Sequence, residues 1–523
     1  MSRPHHLPTL RLAPLLARFG LSLMLAAPFA AASEASTAPD DKAAAEENRF
    51  DILEYEVHGN TVLPRDRIEE TVYPYLGEKK TIKDVDLARA ALEKAYHDAG
   101  YLTVFVNLPE QQVENGVVRL EVMEGKVDRL RVTGSRYYSL GAIKAKAPEL
   151  AEGNVPDFNE VQKELADLNR NGGRRVTPVL RSGRVPGTVE AELKVDDKLP
   201  LNASLEVNDR YSRDTSHTRL SAAVRYDNLW QAGHSLNLNF QVAPEKPAES
   251  KVAVASYVAP LASGNILAGY AVASDTDVTT VGGIASLGKG TILGLRYILP
   301  LPTRPGLFHS LTLGADYKDY SDTTSFQGEN ENLPIAYLPF SVGYDLTLAG
   351  ERWQTQLGLS AVFSLRGIGS DAAEFAAKRT GARDDFAYFK ADLKETCQFA
   401  NGARLTGKLA GQYAGSPLIS NEQMAAGGAD TVRGYPESAA LGDRGWRLGF
   451  EVQSPSLAGK SLPWLDEMYL LGFAEGAQLY YLDAGVAQES EFSLASAGVG
   501  LRLRAGRHYS GALDFAKALK AAG

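Results

Sequence analysis

Two hydrophobic periodicities divide the chain near residue 200. Ahead of that point short alternating stretches flank helical ones. Ile52–Val57 alternates as a strand and stops at Gly59-Asn60. Leu63–Tyr75 suits a short helix ending near Pro74. Val85, Ala88, Leu92, Ala95 and Tyr96 then share one face of a helix over Ile82–Ala99, with Gly100 as its stop. Leu102–Leu108 and Val117–Val122 read as strands, with a turn at Asn115-Gly116. The same order recurs. Val127–Val132 is a strand, Leu140–Ala147 and Asn159–Leu168 are helical, and Arg175–Arg181 and Thr188–Val195 are strands around Pro186-Gly187. A Val-x-Gly cue closes the first strand of each unit, at Val57-His58-Gly59 and Val132-Thr133-Gly134. The pattern predicts two tandem α+β units, 50–125 and 126–198.

Beyond Pro200 helical spacing disappears, and period-2 segments follow one another at the length a tilted membrane-crossing strand needs, about 9–11 residues or more. Trp446, Leu448, Phe450 and Val452 oppose Arg447, Gly449, Glu451 and Gln453. Ala497, Val499, Leu501 and Leu503 oppose Gly498, Gly500, Arg502 and Arg504, and Leu405, Leu409 and Tyr413 oppose Arg404, Lys408 and Gln412. One evenly apolar face and one charged face predict a transmembrane β-barrel over 199–523, charges inward, because a lipid-facing charge costs about 2–4 kcal/mol at the midplane. Strands are expected near 202–208, 217–229, 234–243, 250–260, 264–275, 289–300, 307–320, 334–348, 351–366, 384–400 and 402–414. Four more follow, near 444–454, 477–487, 494–505 and 508–519. With the α+β units in the periplasm, the loop after the eleventh strand enters from the cell surface. Bacterial barrels close with an even number of strands. Fifteen therefore predicts a 16-strand type whose last strand is missing from this chain, unless two strands merge around Thr279–Ile298.

The chain has 523 residues and a mean hydropathy of −0.20, and no run of 18 apolar residues follows the first 33, so helical membrane spans are excluded. The N-terminus carries Arg3, Arg11 and Arg18, an apolar core from Phe19 to Phe29, and Ala30-Ala31-Ala32 as a cleavage site. Residues 1–32 read as an export signal and 33–49 as a short disordered leader. The single cysteine, Cys397, excludes an internal disulfide; alternation with Gln398 turns it toward lipid. A net charge of −9 argues against a nucleic-acid partner. No nucleotide, zinc-protease or calcium-loop motif occurs, and the eight His are scattered. No cofactor, metal or catalytic set is expected.

One stretch organises the rest. Thr431-Val432-Arg433-Gly434-Tyr435 lies in the loop at about 415–442, longer than loops in compact domains usually run. An arginine fork suits a carboxylate, which accepts it with two bonds. The aromatic-x-Asp-x-Gly segment Tyr481-Leu482-Asp483-Ala484-Gly485 offers one. Alternation sets Tyr481, Asp483 and Gly485 on the lumen face, Gly485 leaving room for the loop and Gly434 allowing a tight turn. The expectation is a loop folded back into the lumen, with Arg433 against an acid on the barrel wall.

The two α+β units resemble POTRA domains, and specifically those of two-partner secretion (TpsB) transporters of the haemolysin secretion/activation type. Gly100-Tyr101-Leu102-Thr103-Val104, Leu108-Pro109-Glu110-Gln111, Leu168-Asn169-Arg170-Asn171 and Val185-Pro186-Gly187-Thr188 carry the likeness. Val432-Arg433-Gly434-Tyr435 resembles the lumen-loop motif of the superfamily that also holds barrel-assembly factors; the resemblance implies an aromatic-x-Asp-x-Gly companion on a wall strand, which Tyr481, Asp483 and Gly485 fit, and so sets Arg433 against Asp483. The resemblance implies a non-enzymatic, monomeric pore in the outer membrane of a Gram-negative bacterium, POTRA domains in the periplasm. It would capture an unfolded exoprotein, adhesin- or haemolysin-like and β-helical, and export it. A barrel-assembly factor is the alternative; such proteins usually carry more POTRA domains. Family members often add a pore-plugging helix and linker, for which the stretch between Ser33 and Phe50 is too short.

Overall fold

The computed structural model describes residues 49–521 apart from 170–171, 214, 277, 282–283, 288, 327–328, 459–463 and 486–487. The expected signal, and the leader up to residue 48, lie outside the described residues.

The repeated sequence pattern folds into a repeated topology. In the first unit Glu54–His58 runs parallel to Val117–Glu124, which pairs antiparallel with Val104–Asn107. In the second, Lys126–Thr133 runs parallel to Thr188–Asp197, which pairs antiparallel with Arg174–Ser182. Helices Arg65–Val72 and Ile82–Asp98 cover the first sheet; Leu140–Ala145 and Phe158–Leu168 belong to the second unit. Val85, Ala88, Leu92 and Tyr96 are buried against Val104, Val118 and Leu120, as the helical spacing requires. The two Val-x-Gly cues do the same work. Gly59 and Gly134 both sit at φ +84, and a Cβ on either would collide with the carbonyl of Val122 or Val195 on the neighbouring strand. Gly100 ends its helix at φ +106, and its carbonyl accepts the Phe158 N–H at 3.0 Å, joining the two units. The second unit meets the barrel at the turn before its third strand, between residues 229 and 234. There the Gln231 amide accepts from Ser139 N–H at 2.9 Å and donates to Tyr137 O at 3.1 Å.

From Leu201 the chain builds a 16-stranded antiparallel sheet in which fifteen strands follow one another in chain order. The first eleven are Leu201–Asn208, Arg219–Leu229, His234–Val242, Lys251–Pro260, Ile266–Asp275, Gly290–Pro300, Leu307–Phe326, Phe340–Ala349, Trp353–Phe363, Ala387–Gln398 and Arg404–Ala414. Arg444–Gln453, Glu467–Tyr480, Glu491–Ala505 and Tyr509–Ala518 complete the path. The sixteenth segment, Glu329–Tyr337, pairs only with the far half of Leu307–Phe326, in line with Phe340–Ala349, which takes the near half. Near Thr279 the described residues add no wall strand: Val278–Val281 and Ile284–Leu287 form a separate hairpin. Among the described residues no ladder joins Leu201–Asn208 to Tyr509–Ala518. The alternation reads as expected, with Trp446, Phe450, Val452, Leu409, Tyr413 and Val499 exposed on the outside. Cys397 stands opposite Trp353 and Leu405 in the ladders, on the outward parity of Phe389 and Leu393.

One strand differs from its expected place. The segment expected at 477–487 spans Glu467–Tyr480. Alternation fails there because the inner face is apolar and covered by the loop, while the outer face carries small residues. Leu471, Phe473, Ala477 and Leu479 point inward but are buried, three of them packed beneath or beside the lumen loop. The outward positions Gly472, Ala474 and Gly476 carry almost no side chain. An apolar inner face beside outward glycine and alanine removes the polar-in, apolar-out alternation by which the other strands are read.

Candidate functional site: a loop held in the lumen

The loop between Arg404–Ala414 and Arg444–Gln453 turns back into the barrel. Its two legs pair with each other, Met424–Ala426 antiparallel to Ala440–Gly442, and its tip reaches the wall at Arg433. Val432 is fully buried with Met424, Ala426, Ala477, Leu479 and Leu494. Gly434 takes φ +91, and a Cβ there would lie 3.2 Å from Ala516 Cβ, so the tip rests on the last strand. The Tyr435 hydroxyl lies 2.7 Å from Lys520 O and 2.9 Å from Ala495 O, and accepts the Ala495 N–H. Thr431 closes the turn through its hydroxyl, which donates to Gly427 O at 2.7 Å. The tip also reaches the start of the barrel: Glu437 N–H donates to Tyr211 O at 2.9 Å, and Arg210 pairs with Asp430 at 2.6 Å. It therefore touches both flanks of the seam between the first and last strands.

Arg433 meets a carboxylate on the wall, but not Asp483. Glu475 accepts its Nε at 2.9 Å, its Nη2 at 2.5 Å and its backbone N–H at 2.8 Å. Glu451 lies 3.1 Å from Nη2 and Asp514 3.5 Å from Nη1. The guanidinium carbon stands 3.4 Å above the Phe473 ring. Both the arginine and Glu475 side chains are 8 % exposed. A charge so buried is tolerable only with geometry of this quality, and the planar fork over an aromatic face supplies it.

Tyr481, Asp483 and Gly485 lie past the end of the wall strand, in a turn. Asp483 is exposed at φ 50, and a Cβ on Gly485 would meet open space. Neither can serve the loop tip as expected. The displaced strand explains the error: the true partner lies eight residues upstream of the expected one. The sequence does hold the signal, because Phe473-Ala474-Glu475-Gly476-Ala477 repeats the aromatic-x-acid-x-small spacing of 481–485.

Tyr481 has a different partner. Its ring lies 3.6 Å beneath the guanidinium of Arg379, which comes from the surface loop carrying helix Ala372–Lys378. Arg379 pairs with Asp443 at 2.5 and 2.7 Å, donates to Leu482 O at 2.8 Å and also reaches Leu418 O. Asp443 is wholly buried and further accepts N–H from Leu418 and Leu482 at 2.9 and 2.7 Å. A third buried carboxylate, Glu422, accepts Lys318 Nζ at 2.5 Å and the hydroxyls of Tyr337 and Tyr388 at 2.6 and 2.7 Å. Sequence reading missed Arg379, Asp443 and Glu422, which sit in no repeated motif. Beside the loop a cavity of about 520 Å³ remains, lined by charges of both signs including Asp345, Asp392, Lys394, Lys408 and Arg447. The space is bounded on one side by the loop, at Asp430 and Thr431.

Comparison with known proteins agrees with this architecture. A family model described as POTRA domain, ShlB-type, matches residues 50–125, and one described as haemolysin secretion/activation protein ShlB/FhaC/HecB matches residues 313–503. The outer membrane transporter CdiB of Dickeya dadantii is 22% identical over 451 residues, covering 82% of this chain and 76% of that protein. The heme/hemopexin transporter protein HuxB of Haemophilus influenzae is 22% identical over 493 residues, covering 90% and 84%. Among solved structures, CdiB from Escherichia coli superposes with a TM-score of 0.58 at 19% identity, covering 92% of this chain and 89% of that one. BamA from Haemophilus ducreyi lacking POTRA domains 1–3 gives 0.53 at 15%, covering 90% and 97%, a likeness of fold alone. A ShlB-type POTRA unit, a secretion-type barrel and transporter relatives along most of the length agree: the chain belongs to the two-partner secretion (haemolysin secretion/activation) transporters, pores of the Gram-negative outer membrane that export a protein partner and hold their POTRA domains in the periplasm.

Proposed function

We propose that the loop at 415–443 is the moving obstruction of this secretion pore, and that Val432, Arg433, Gly434 and Tyr435 are its release point. The observation that carries the reading is the single cation at the tip, set among Glu475, Glu451 and Asp514 on the wall. Such a site holds the tip as long as the arginine stays, and loses its hold all at once when the guanidinium leaves. The residues expected as the wall motif, Tyr481, Asp483 and Gly485, are not its partners; Glu475 and Phe473 are.

The exported partner is an unfolded exoprotein, adhesin- or haemolysin-like, that becomes β-helical outside. Its capture uses strand addition to the free sheet edges of the two POTRA domains, 50–125 and 126–198. Val104–Asn107 and Arg174–Ser182 are such edges, and Phe105 and Leu180 stand exposed on them. The pore works as a monomer without catalysis, and folding of the emerged substrate supplies the pull. Residues 1–32 serve as the export signal, 33–49 as a leader, and 199–523 form the barrel.

The test replaces Phe105 or Leu180 with a photo-crosslinking residue and co-expresses the exported partner. Cross-links that vanish when the partner's N-terminal segment is deleted support strand capture. Efficient export without any cross-link at either edge overturns it. A barrel-assembly role would instead show as loss of other barrels from the outer membrane when the chain is depleted.

A further inference from the structure

The base of the lumen loop is closed by a residue that belongs neither to the loop nor to the wall. Arg379 lies in the surface loop between Trp353–Phe363 and Ala387–Gln398, just past helix Ala372–Lys378. That helix is fixed by its cap, where Asp371 Oδ1 accepts the N–H of Ala373 and Glu374 at 2.9 Å each. Phe375 on the helix is buried with Tyr337, Phe386 and Tyr388, so the helix sits firmly on the wall. From this platform one guanidinium reaches three segments. It bonds Leu418 O on the outgoing leg of the lumen loop, Asp443 on the returning leg, and Leu482 O in the turn beyond Glu467–Tyr480. Tyr481 supplies the flat surface beneath it. The Arg379 side chain is 9 % exposed and that of Asp443 is not exposed at all.

We propose that Arg379 is a positioning residue for secretion: it clasps the two legs of the lumen loop at the neck, so that the loop pivots as one piece and opening consists of releasing Arg433. The inference rests on the loop being the obstruction. The chemistry favours a clasp over incidental contact. The three bonded groups are far apart in sequence, and one fork satisfies a carboxylate on one leg and a carbonyl on the other. A lysine offers a point charge without that geometry. Asp443 without Arg379 would keep its backbone donors but lose the cation that links the legs to the surface loop.

The experiment reads conductance of the purified full chain in planar lipid bilayers, in a Cys397→Ser background. Arg379→Gln is expected to raise the time-averaged conductance about fivefold or more, as the closed population falls, and Arg379→Lys to behave like it. Cysteines at Ala426 and Ala440, which face each other across the paired legs, then supply a covalent clasp. Oxidation of Arg379→Gln/Ala426→Cys/Ala440→Cys should return conductance to the parent level, and a reducing agent should undo the rescue. Unchanged conductance in Arg379→Gln, or failure of the formed disulfide to restore closure, overturns the proposal. Should Arg379→Gln fail to insert, Tyr481→Leu weakens the same clasp from below and takes the same rescue test. Arg433→Ala separates the two readings. If it opens the pore while the Arg379 variants stay closed, the obstruction stands and the clasp falls. If neither opens it, the loop is not the obstruction.

Discussion

The two ends of the lumen loop are both held by buried charge, but with opposite signs and different redundancy. At the neck the loop contributes two acids, Glu422 and Asp443, and each is met by a cation from elsewhere, Lys318 or Arg379. Backbone N–H groups, tyrosine hydroxyls and the aromatic cluster around Phe375 and Phe386 share the load. At the tip the loop contributes one cation, and the wall supplies three acids. Removing one neck contact leaves others. Removing Arg433 leaves Glu475, Glu451 and Asp514 close together, with Arg502 still 2.7 Å from Asp514. The tip is thus built to be all-or-none and the neck to persist. A hinge and a latch need those two characters.

The largest effect should come from breaking the tip. Arg433→Ala removes one member of a buried pair, which costs about 3–5 kcal/mol, and so should shift the seated-to-released ratio by about a hundredfold or more. The readouts are conductance, expected to rise, and export of the partner, expected to fall about tenfold if the seated state must be restored between substrates. Arg433→Lys keeps the charge but loses the fork and the stacking on Phe473. It should recover less than half the effect. Wild-type conductance in Arg433→Ala would erase the distinction between neck and tip.

The next comparison pits the two wall acids against each other. Glu475→Gln should weaken closure nearly as much as Arg433→Ala, because it removes the carboxylate that takes three of the arginine's N–H donors. Asp483→Ala, at an exposed turn, should leave conductance and export within about twofold, as exposed substitutions usually do. The opposite ranking would mean the loop tip shifts by one motif repeat in the working protein.

These two residues also mark where the sequence was legible and where it was not. Twelve of the expected strands lie within about three residues of their places and two more overlap theirs, because one face of each meets lipid or core and the other meets water. Both POTRA-like units, their Val-x-Gly turns and the helix face from Val85 to Tyr96 were readable for the same reason. The one displaced strand, Glu467–Tyr480, is the strand that the loop covers, so the site itself erased the alternation that would have located it. Arg433 was legible because its motif is local. Glu475 was hidden behind a better-looking copy of its own pattern. Arg379, Asp443 and Glu422 meet only in three dimensions, across 64 residues for the first pair and 104 for Lys318 with Glu422. No periodicity records such a meeting.

A smaller effect is expected at the neck. Glu422→Gln keeps the shape and the two hydroxyl partners but removes the charge that Lys318 answers. The result is a buried ammonium left to the Tyr337 ring 5.8 Å away. Conductance should stay near the parent level because Arg379 and Asp443 still hold the base, while thermal unfolding of the purified barrel should fall measurably. Glu422→Gln/Lys318→Met, which removes both charges, should restore much of that loss, since replacing a buried pair by neutral groups is often nearly neutral. If Glu422→Gln opened the pore as strongly as Arg433→Ala, the neck would be a second latch and not a hinge.

The smallest effect belongs to a carboxylate held by backbone N–H groups and a hydroxyl, and it calibrates the others. Asp197 closes the second POTRA-like unit. It accepts N–H from Arg136 and Tyr137 at 2.9 and 2.8 Å and the Ser135 hydroxyl at 2.9 Å. Burial alone would raise its pKa, but these donors favour the ionised form and hold it below the ordinary carboxylate value. A depressed folded-state pKa contributes stability that is present above the unfolded value of about 3.9 and fades as pH falls through the folded one. Asp197→Asn should therefore cost about 1 kcal/mol at neutral pH, a few degrees in the unfolding midpoint of residues 49–198. The gap from the parent should begin to narrow as pH falls below the unfolded value of about 3.9 and close once pH has passed below the folded-state pKa, where the parent carboxylate is also neutral. The conductance of the full chain should not change, because Asp197 touches neither leg of the loop. A conductance change in Asp197→Asn would mean that the periplasmic unit biases the latch, and the hinge would then extend from the neck, through the wall, to the Gln231 contact with Tyr137 and Ser139.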